Sequence, residues 1–290
     1  MPAGPLDPVA LRQAEAAQVP APKERRPQLY AVTNTTADTT AGPVPVRIYT
    51  PAQSAAYGLL VYFHGGAFFL GSLDTHDALA RSLAQQTGLK VVSVGFRLAP
   101  ENPFPAGLQD CYYVVRWAAE HGADLDWDGA TLAIAGDSSG GNFAAAVAAI
   151  AHDDGVDAIT HQVLFYPSLD LDFDTERYPS LRENATGYGL ETAGLKPFNA
   201  FYLAGADPDD PLVSPIKRAD LSGLPPALIV TAEHDPLRDE GERYGGRLQD
   251  AGVPTTICRY AAANHGFIQN FSWLPEYHRA FTETAEFLRG

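Results

Sequence analysis

The feature that most constrains the fold is a regular alternation of short apolar runs with longer segments of different periodicity. From residue 44 onward, several runs are apolar at consecutive positions, and Gly or Pro punctuates each of them. Such runs are typical of strands that are buried on both faces of a mostly parallel sheet. The predicted strands are Val44–Thr50, Leu59–His64, Lys90–Phe96, Thr131–Gly136, Thr160–Tyr166, Ala227–Thr231 and Thr255–Tyr260.

The segments between these runs carry apolar residues at spacings of three and four, which predicts amphipathic helices. The predicted helices are Asp77–Gln86, Leu108–Glu120, Gly141–Ala151, Glu240–Ala251 and Pro275–Leu288. Strands that alternate with helices in this way predict an α/β fold, with a mostly parallel central sheet flanked by helices. The chain has 290 residues, of which 46% are hydrophobic and 19% charged, so it can bury a large core without disulfides or a metal.

Two segments interrupt the alternation. Residues 1–43 are rich in Pro, Ala and Thr, and residues 170–215 are divided by Pro and Gly but carry apolar residues of their own. The second segment is too long for an ordinary loop. We expect an N-terminal cap segment at 1–43, a partly helical cap insertion at 170–215, and a core formed by 44–169 together with 216–290.

Charge and cysteine content exclude several classes of partner. The chain has 20 Lys+Arg against 35 Asp+Glu, a formal charge of −15, which disfavours binding to nucleic acid or to an anionic membrane. The sequence has no run of about 18 apolar residues, so no membrane span is predicted.

Cys111 and Cys258 are isolated and predict neither a disulfide framework nor a zinc site. The start of the chain lacks the apolar run of a signal peptide, so we expect a cytoplasmic protein.

The segment Gly136-Asp137-Ser138-Ser139-Gly140-Gly141 joins a predicted strand to a predicted helix. A sharp turn of this kind needs glycine on both sides, because a Cβ atom at 136 or 140 would collide with the neighbouring element. The turn lifts the Ser138 oxygen clear of the sheet, and the start of the helix presents N–H groups to developing negative charge. Ser138 is therefore the candidate nucleophile, with Ser139 better suited to offer its backbone N–H. A Gly-rich helix cap is the alternative interpretation.

A second glycine motif, His64-Gly65-Gly66-Ala67, directly follows another predicted strand. Two consecutive glycines let the backbone approach an oxygen closely and direct N–H groups at it, as the stabilisation of a tetrahedral oxyanion requires. The motif acts through the backbone of the residues after His64, so we expect a structural role for the His64 ring.

Taken together, several motifs resemble the successive signatures of one family. The sequence is similar to the hormone-sensitive-lipase-like, or bacterial family IV, carboxylesterases of the α/β-hydrolase superfamily. The motifs are His64–Ser72, Phe96–Ala106, Gly136–Asn142, Tyr166-Pro167, Asp235–Gly241 and His265–Phe267, and they occur in family order over about residues 58–268. The resemblance implies an α/β-hydrolase catalytic core with a helical cap, and hydrolysis of water-soluble esters with short to medium acyl chains.

The resemblance also implies an oxyanion hole and shows where this chain departs from the family. In the family, the donors are the first two glycines of the motif and the residue after the nucleophile, which correspond to Gly65, Gly66 and Ser139. Ala67 stands where the family usually has a third glycine, and Ser139 replaces the commoner alanine.

The nucleophile needs partners that follow it along the chain. A serine hydroxyl is a poor nucleophile near neutrality, so a base must lie beside it and a carboxylate must orient that base. In this fold the acid follows the nucleophile and the histidine comes last. Asp235 follows a predicted strand, with Glu233 as the alternative acid. His265 lies in a loop after the last predicted strand, whereas His278 lies in the final helix. We therefore predict a triad of Ser138, Asp235 and His265.

The apolar pocket for an ester is the least specified part of the site. Our candidates are Phe68, Phe69, Tyr166, Tyr188, Phe198 and Phe201, for which an ordinary core role is the alternative. No metal-binding, phosphate-binding or dinucleotide motif is present, so no cofactor or metal is predicted. Hydrolysis of an amide, lactone or carbamate on the same triad stays open, as does a ligand-binding role without catalysis. The sequence does not determine whether the protein forms homo-oligomers.

Overall fold

An eight-stranded sheet forms the centre of the computed structural model, which describes residues 6–17 and 26–290. The strands are β1 (Ala31–Thr39), β2 (Gly42–Thr50), β3 (Tyr57–Phe63), β4 (Lys90–Val94), β5 (Trp127–Asp137), β6 (His161–Phe165), β7 (Ala227–His234) and β8 (Thr255–Asn264). Their order is β1-β2-β4-β3-β5-β6-β7-β8. β1 and β2 are antiparallel to each other, β2 is antiparallel to β4, and the remaining neighbours are parallel. The predicted α/β fold with a mostly parallel sheet is confirmed.

The structure describes nine α-helices, and five of them cover the two faces of this sheet. The nine are α1 (Pro8–Ala17), α2 (Asp77–Thr87), α3 (Ala106–Glu120), α4 (Ser139–Asp153), α5 (Ser180–Glu183), α6 (Thr192–Leu203), α7 (Arg238–Asp250), α8 (Phe267–Asn270) and α9 (Pro275–Phe287). The five that cover the sheet are α2, α3, α4, α7 and α9. In β3, Leu59, Val61 and Phe63 pack with α3, α4 and α7 on one face, and Leu60 and Tyr62 pack with α2 and α9 on the other. Because successive strand residues face opposite ways, a strand covered on both sides is apolar throughout.

The structure differs from the sequence-based prediction at the edge of the sheet. Residues 31–39 fall in the predicted N-terminal cap segment, but they form β1 and pair with β2 over Ala31–Thr39. β1 is an edge strand with much of its length exposed, and its sequence, AVTNTTADT, is rich in threonine. An edge strand needs no continuous apolar run, so the pattern used to find the other strands does not detect it. Residues 1–5 and 18–25 of the same predicted segment lie outside the described residues.

The remaining features of the fold concern residues 170–215, the two cysteines and the length of the helices. Residues 170–215 contain the short helix α5 and the three-turn helix α6. Both cysteines are free thiols. Among the residues that the structure describes, no helix has the length and apolar character needed to cross a bilayer.

Candidate active site

The turn between β5 and α4 places Ser138 in a strained conformation. Its backbone has φ 55° and ψ −119°, a region that residues with a side chain rarely adopt. A Cβ atom on Gly136 would lie 2.1 Å from the Gly140 carbonyl oxygen, and one on Gly140 would lie 2.1 Å from the Phe63 carbonyl oxygen. Only glycine fits at these two positions, as the motif predicts. The tight turn leaves the Ser138 side chain at the carboxyl end of β5.

Three side chains from three strand ends form a continuous hydrogen-bonded chain. Ser138 follows β5, Asp235 follows β7 and His265 follows β8, and the carboxyl ends of these parallel strands lie at the same edge of the sheet. His265 Nδ1 lies 2.8 Å from Asp235 Oδ2, and His265 Nε2 lies 3.0 Å from Ser138 Oγ. Asp235 is fully buried and also accepts the N–H of Leu237 at 2.8 Å. The carboxylate is therefore held in place while it orients the imidazole.

The alternative acid, Glu233, and the other histidine that follows Asp235, His278, lie elsewhere. Glu233 pairs with Arg238 at 3.0 Å and with Arg259 at 3.3 Å. His278 is exposed on α9. The structure thus brings His265 to Asp235 and not to Glu233.

The loop after β3, residues 64–71, is called the glycine loop below. Its hydrogen bonds differ from the sequence-based expectation at one oxyanion donor, Gly65. The N–H of Gly65 donates to Asp137 Oδ1 at 2.8 Å, so it is not available to a substrate oxygen, because one N–H makes one strong hydrogen bond. Within residues 6–17 and 26–290, the N–H groups of Gly66, Ala67 and Ser139 have no acceptor. Sequence reasoning missed Ala67 because the motif does not reveal which N–H the neighbouring carboxylate takes.

Comparisons with known proteins agree with this geometry. Residues 60–269 match a family model described as the alpha/beta hydrolase fold. The chain belongs to this family. It is 40% identical over 271 residues to Carboxylesterase NlhH of Mycobacterium tuberculosis, an alignment that covers 92% of this chain and 84% of the relative. It is 42% identical over 236 residues to Esterase LipI of the same organism, with 80% and 73% covered.

A solved structure extends the likeness to nearly the whole fold. The hyperthermophilic esterase from the archaeon Pyrobaculum calidifontis superposes with a TM-score of 0.88 at 37% identity, covering 98% of this chain and 93% of that one. The predicted placement in the hormone-sensitive-lipase-like branch of the α/β hydrolases is confirmed.

A buried polar cluster lies under the glycine loop of this α/β hydrolase. Asp137 is almost fully buried and accepts hydrogen bonds from the Tyr62 hydroxyl and the Gly65 N–H, with His76 Nε2 at 3.7 Å. Burial alone would raise the pKa of Asp137, but His76 and the two donors outweigh it and leave the pKa below its usual value. Asp137 is therefore a carboxylate, and it holds the Gly65 end of the loop.

His64 is part of the same cluster and has a structural environment. Burial lowers the pKa of its imidazole to about 3, so the ring is neutral at pH 7. Its Nδ1 lies 2.8 Å from the Gly65 carbonyl oxygen, and the ring stacks on Phe96 with centroids 4.2 Å apart. These contacts fix the start of the loop, and among the described residues no hydrogen bond joins the ring to Ser138 or His265.

The aromatic side chains predicted to line a pocket have four different environments. Phe68 is buried in the core, and its ring stacks on the ring of Tyr202 with the centroids 3.8 Å apart. The Tyr166 ring lies 4.8 Å from the His265 ring, and Tyr188 stacks on His234 at 4.6 Å while remaining 38% exposed.

The other three members form one cluster. The ring of Phe69, on the glycine loop, packs against the rings of Phe198 and Phe201, both on α6. The ring centroids are 5.8 Å and 5.0 Å apart, respectively. Helix α6 therefore packs directly on the loop that carries the free N–H groups.

The described part of the chain offers no set of metal ligands. No three His, Cys, Asp or Glu side chains among residues 6–17 and 26–290 are grouped in a way that could hold a metal ion. Several acidic side chains in residues 170–215 form ion pairs, such as Asp170 with Arg177 at 2.6 Å and Asp172 with Lys217 at 3.0 Å.

Proposed function

We propose that the protein is a serine carboxylesterase that hydrolyses carboxylic esters through an acyl-enzyme intermediate. The observation that carries the proposal is the chain of hydrogen bonds from Asp235 through His265 to Ser138, at the strained turn of an α/β hydrolase. Further support comes from the relatives, which carry the names carboxylesterase and esterase. A nucleophile, a base and an orienting acid in this geometry suit acyl transfer.

In the acylation step, Ser138 Oγ attacks the ester carbonyl carbon while His265 Nε2 takes the hydroxyl proton. The carbonyl oxygen becomes an oxyanion, for which Gly66, Ala67 and Ser139 offer free N–H groups. Each such donor lowers the barrier by about 3 kcal/mol when it is in place. Collapse of the intermediate breaks the C–O bond, and the departing alcohol takes the proton from Nε2.

In the deacylation step, a water molecule replaces the alcohol. His265 Nε2 takes a proton from the water as its oxygen attacks the acyl carbon, and the same N–H groups hold the second oxyanion. The acid product leaves when the proton returns to Ser138 Oγ. Throughout both steps the Asp235 carboxylate stabilises the imidazolium that forms and keeps Nδ1 protonated.

We propose a cap formed by α1 and by residues 170–215, covering the carboxyl edge of the sheet. α1 buries none of its residues, and it is held by polar contacts to the glycine loop. Arg12 donates to the Phe69 carbonyl oxygen at 2.7 Å and pairs with Glu101 at 2.7 Å. Glu15 accepts the N–H of Gly71 at 2.9 Å. The cap therefore rests on the loop that carries the proposed oxyanion donors.

We propose esters with short to medium acyl chains as the substrate class. Phe69, Phe198 and Phe201 fill the space between the glycine loop and α6, which supports a small apolar pocket rather than a long channel.

The two free thiols, Cys111 and Cys258, support the expectation of a reducing, cytoplasmic location.

Kinetics with 4-nitrophenyl butyrate test the proposal. The parent should turn over the ester, Ser138→Ala should lose turnover, and His265→Ala should lose it as well, by a factor of at least about a thousand. His278→Ala, on the exposed face of α9, is the matched histidine control and should keep parental activity. Turnover by Ser138→Ala within tenfold of the parent would reject Ser138 as the nucleophile, and no turnover by the parent would reject the function.

A further inference from the structure

Side chains on both sides of the nucleophile hold the glycine loop. Asp137, which precedes Ser138, accepts the N–H of Gly65 at 2.8 Å. Ser139, which follows it, accepts the N–H of Phe68 on its hydroxyl oxygen at 3.3 Å. The two contacts enclose Gly66 and Ala67, whose N–H groups are free among the described residues.

The loop needs such support because its backbone is strained. Gly66, Ala67 and Phe68 have φ values of 125°, 49° and 65°, and the last two are residues for which a left-handed conformation is unfavourable. Strained backbone persists only where surrounding contacts determine it. The turn hydrogen bonds from Phe69 and Leu70 to the Gly66 carbonyl oxygen close the loop but do not join it to Ser138.

The Ser139 hydroxyl joins the Phe68 end of the loop to the turn between β5 and α4. This turn, residues 136–140, carries Ser138 and is called the elbow below. Phe68 is buried at 1% exposure, and its N–H has no other acceptor among the described residues. Without the hydroxyl, a buried donor would be left unsatisfied. Residue 139 is itself 1% exposed. Water would therefore reach the N–H of Phe68 only if the loop moved away from residue 139.

We propose that the Ser139 hydroxyl is a positioning group for the oxyanion hole, separate from the N–H of the same residue. It fixes the Phe68 end of the loop against the elbow, and thereby sets the distance between the N–H groups of Gly66 and Ala67 and the carbonyl carbon that Ser138 attacks. This inference rests on the proposed esterase function. It concerns a hydroxyl that the similar family usually lacks, since alanine is the commoner residue there.

Ser139→Ala tests the inference, because it removes the hydroxyl and keeps the backbone N–H. We expect kcat/KM for 4-nitrophenyl butyrate to fall by about three- to tenfold, less than for a donor that is lost outright. Phenylboronic acid bonds to a serine oxygen as a tetrahedral anion that occupies an oxyanion hole, so its Ki should rise by the same factor.

Ser93→Ala is the matched control. Ser93 is a serine on β4 at 1% exposure whose hydroxyl has no hydrogen-bond partner among the described residues. This variant also loses one buried hydroxyl and should keep the parental kcat/KM and the parental Ki. Should Ser139→Ala fail to fold, Ser139→Cys takes its place under the same criteria, because the thiol keeps a polar side chain but is a weaker acceptor.

The outcomes separate the two proposals. Parental turnover combined with a Ser139→Ala variant within twofold of the parent would overturn the positioning role and leave the esterase function intact. A fall in kcat/KM without a matching rise in the Ki of the boronate would also overturn it, since the loss would then arise outside the oxyanion hole. No turnover by the parent would overturn both proposals.

Discussion

A methyl group at Gly140 tests how closely the glycine loop and the elbow are packed. Gly140 is the second residue of α4, and the carbonyl oxygens of Phe63 and His64 lie directly over its Cα. In Gly140→Ala the new Cβ would meet the Phe63 oxygen at 2.1 Å and the His64 oxygen at 2.7 Å. Both atoms belong to the backbone that leads into the glycine loop, so no side-chain rotation can relieve the contact.

The size of the effect follows from the shortest contact. Ordinary van der Waals contact begins at 3.4 Å, so the backbone at residue 63 or at residue 140 must shift by about 1 Å. Overpacking of this kind costs about 1–3 kcal/mol in stability, which outweighs the gain of up to about 1 kcal/mol from alanine in a helix. A displacement of about 1 Å between nucleophile and oxyanion donors costs about a hundredfold in rate.

Thermal unfolding and 4-nitrophenyl butyrate kinetics measure both effects, with Gly246→Ala as the control. Gly246 lies inside α7, and a Cβ atom there meets nothing within 4 Å. The control should be as active as the parent and equally or more stable, because only the helix propensity changes. A Gly140→Ala variant with parental Tm and parental kcat/KM would refute the close packing on which the oxyanion geometry depends.

Two further side chains give predictions of a different kind. Asn184 donates to the carbonyl oxygens of Glu233 and Asp235 at 3.0 and 3.1 Å, so Asn184→Ala should lower the free energy of unfolding by about 1–3 kcal/mol and reduce kcat; unchanged values in urea unfolding and kinetics would exclude this support. Burial raises the pKa of Glu240 well above its usual value, so its contribution to stability is complete below the unfolded-state pKa and is lost as pH rises through the folded-state pKa. Glu240→Gln, which keeps an acceptor for the N–H of Leu169, should therefore gain stability relative to the parent as pH rises above about 4.5, by at most about 1.4 kcal/mol per pH unit; parallel stability curves in urea titrations would contradict this.

Periodicity predicts the buried strands and the long helices because burial on both faces leaves a direct mark on the sequence. For this reason, β3 and β4 are buried at every position and carry mostly apolar residues. β1 leaves no such mark, since an edge strand of threonines is stabilised by pairing with β2 rather than by its own burial.

The site could be predicted where the chemistry demands a particular residue type at a particular strand end. Ser138, Asp235 and His265 each follow a strand, so topology and residue type together select them. The oxyanion donors were harder to assign, because which N–H is free depends on where the Asp137 carboxylate lies in three dimensions. The role of the Ser139 hydroxyl could not be predicted from the sequence for the same reason, because its partner, the N–H of Phe68, lies 71 residues away along the chain.

We infer that His265 activates the hydroxyl of Ser138 and no other. Stoichiometric reaction with a fluorophosphonate, followed by mass spectrometry of the proteolytic peptides, tests it most directly. We expect one phosphonyl group per chain, located on Ser138, with the rate of labelling strongly reduced in His265→Ala and unchanged in His278→Ala. An adduct on Ser139, or labelling of Ser138 at the parental rate without His265, would show that His265 does not activate Ser138 in this way.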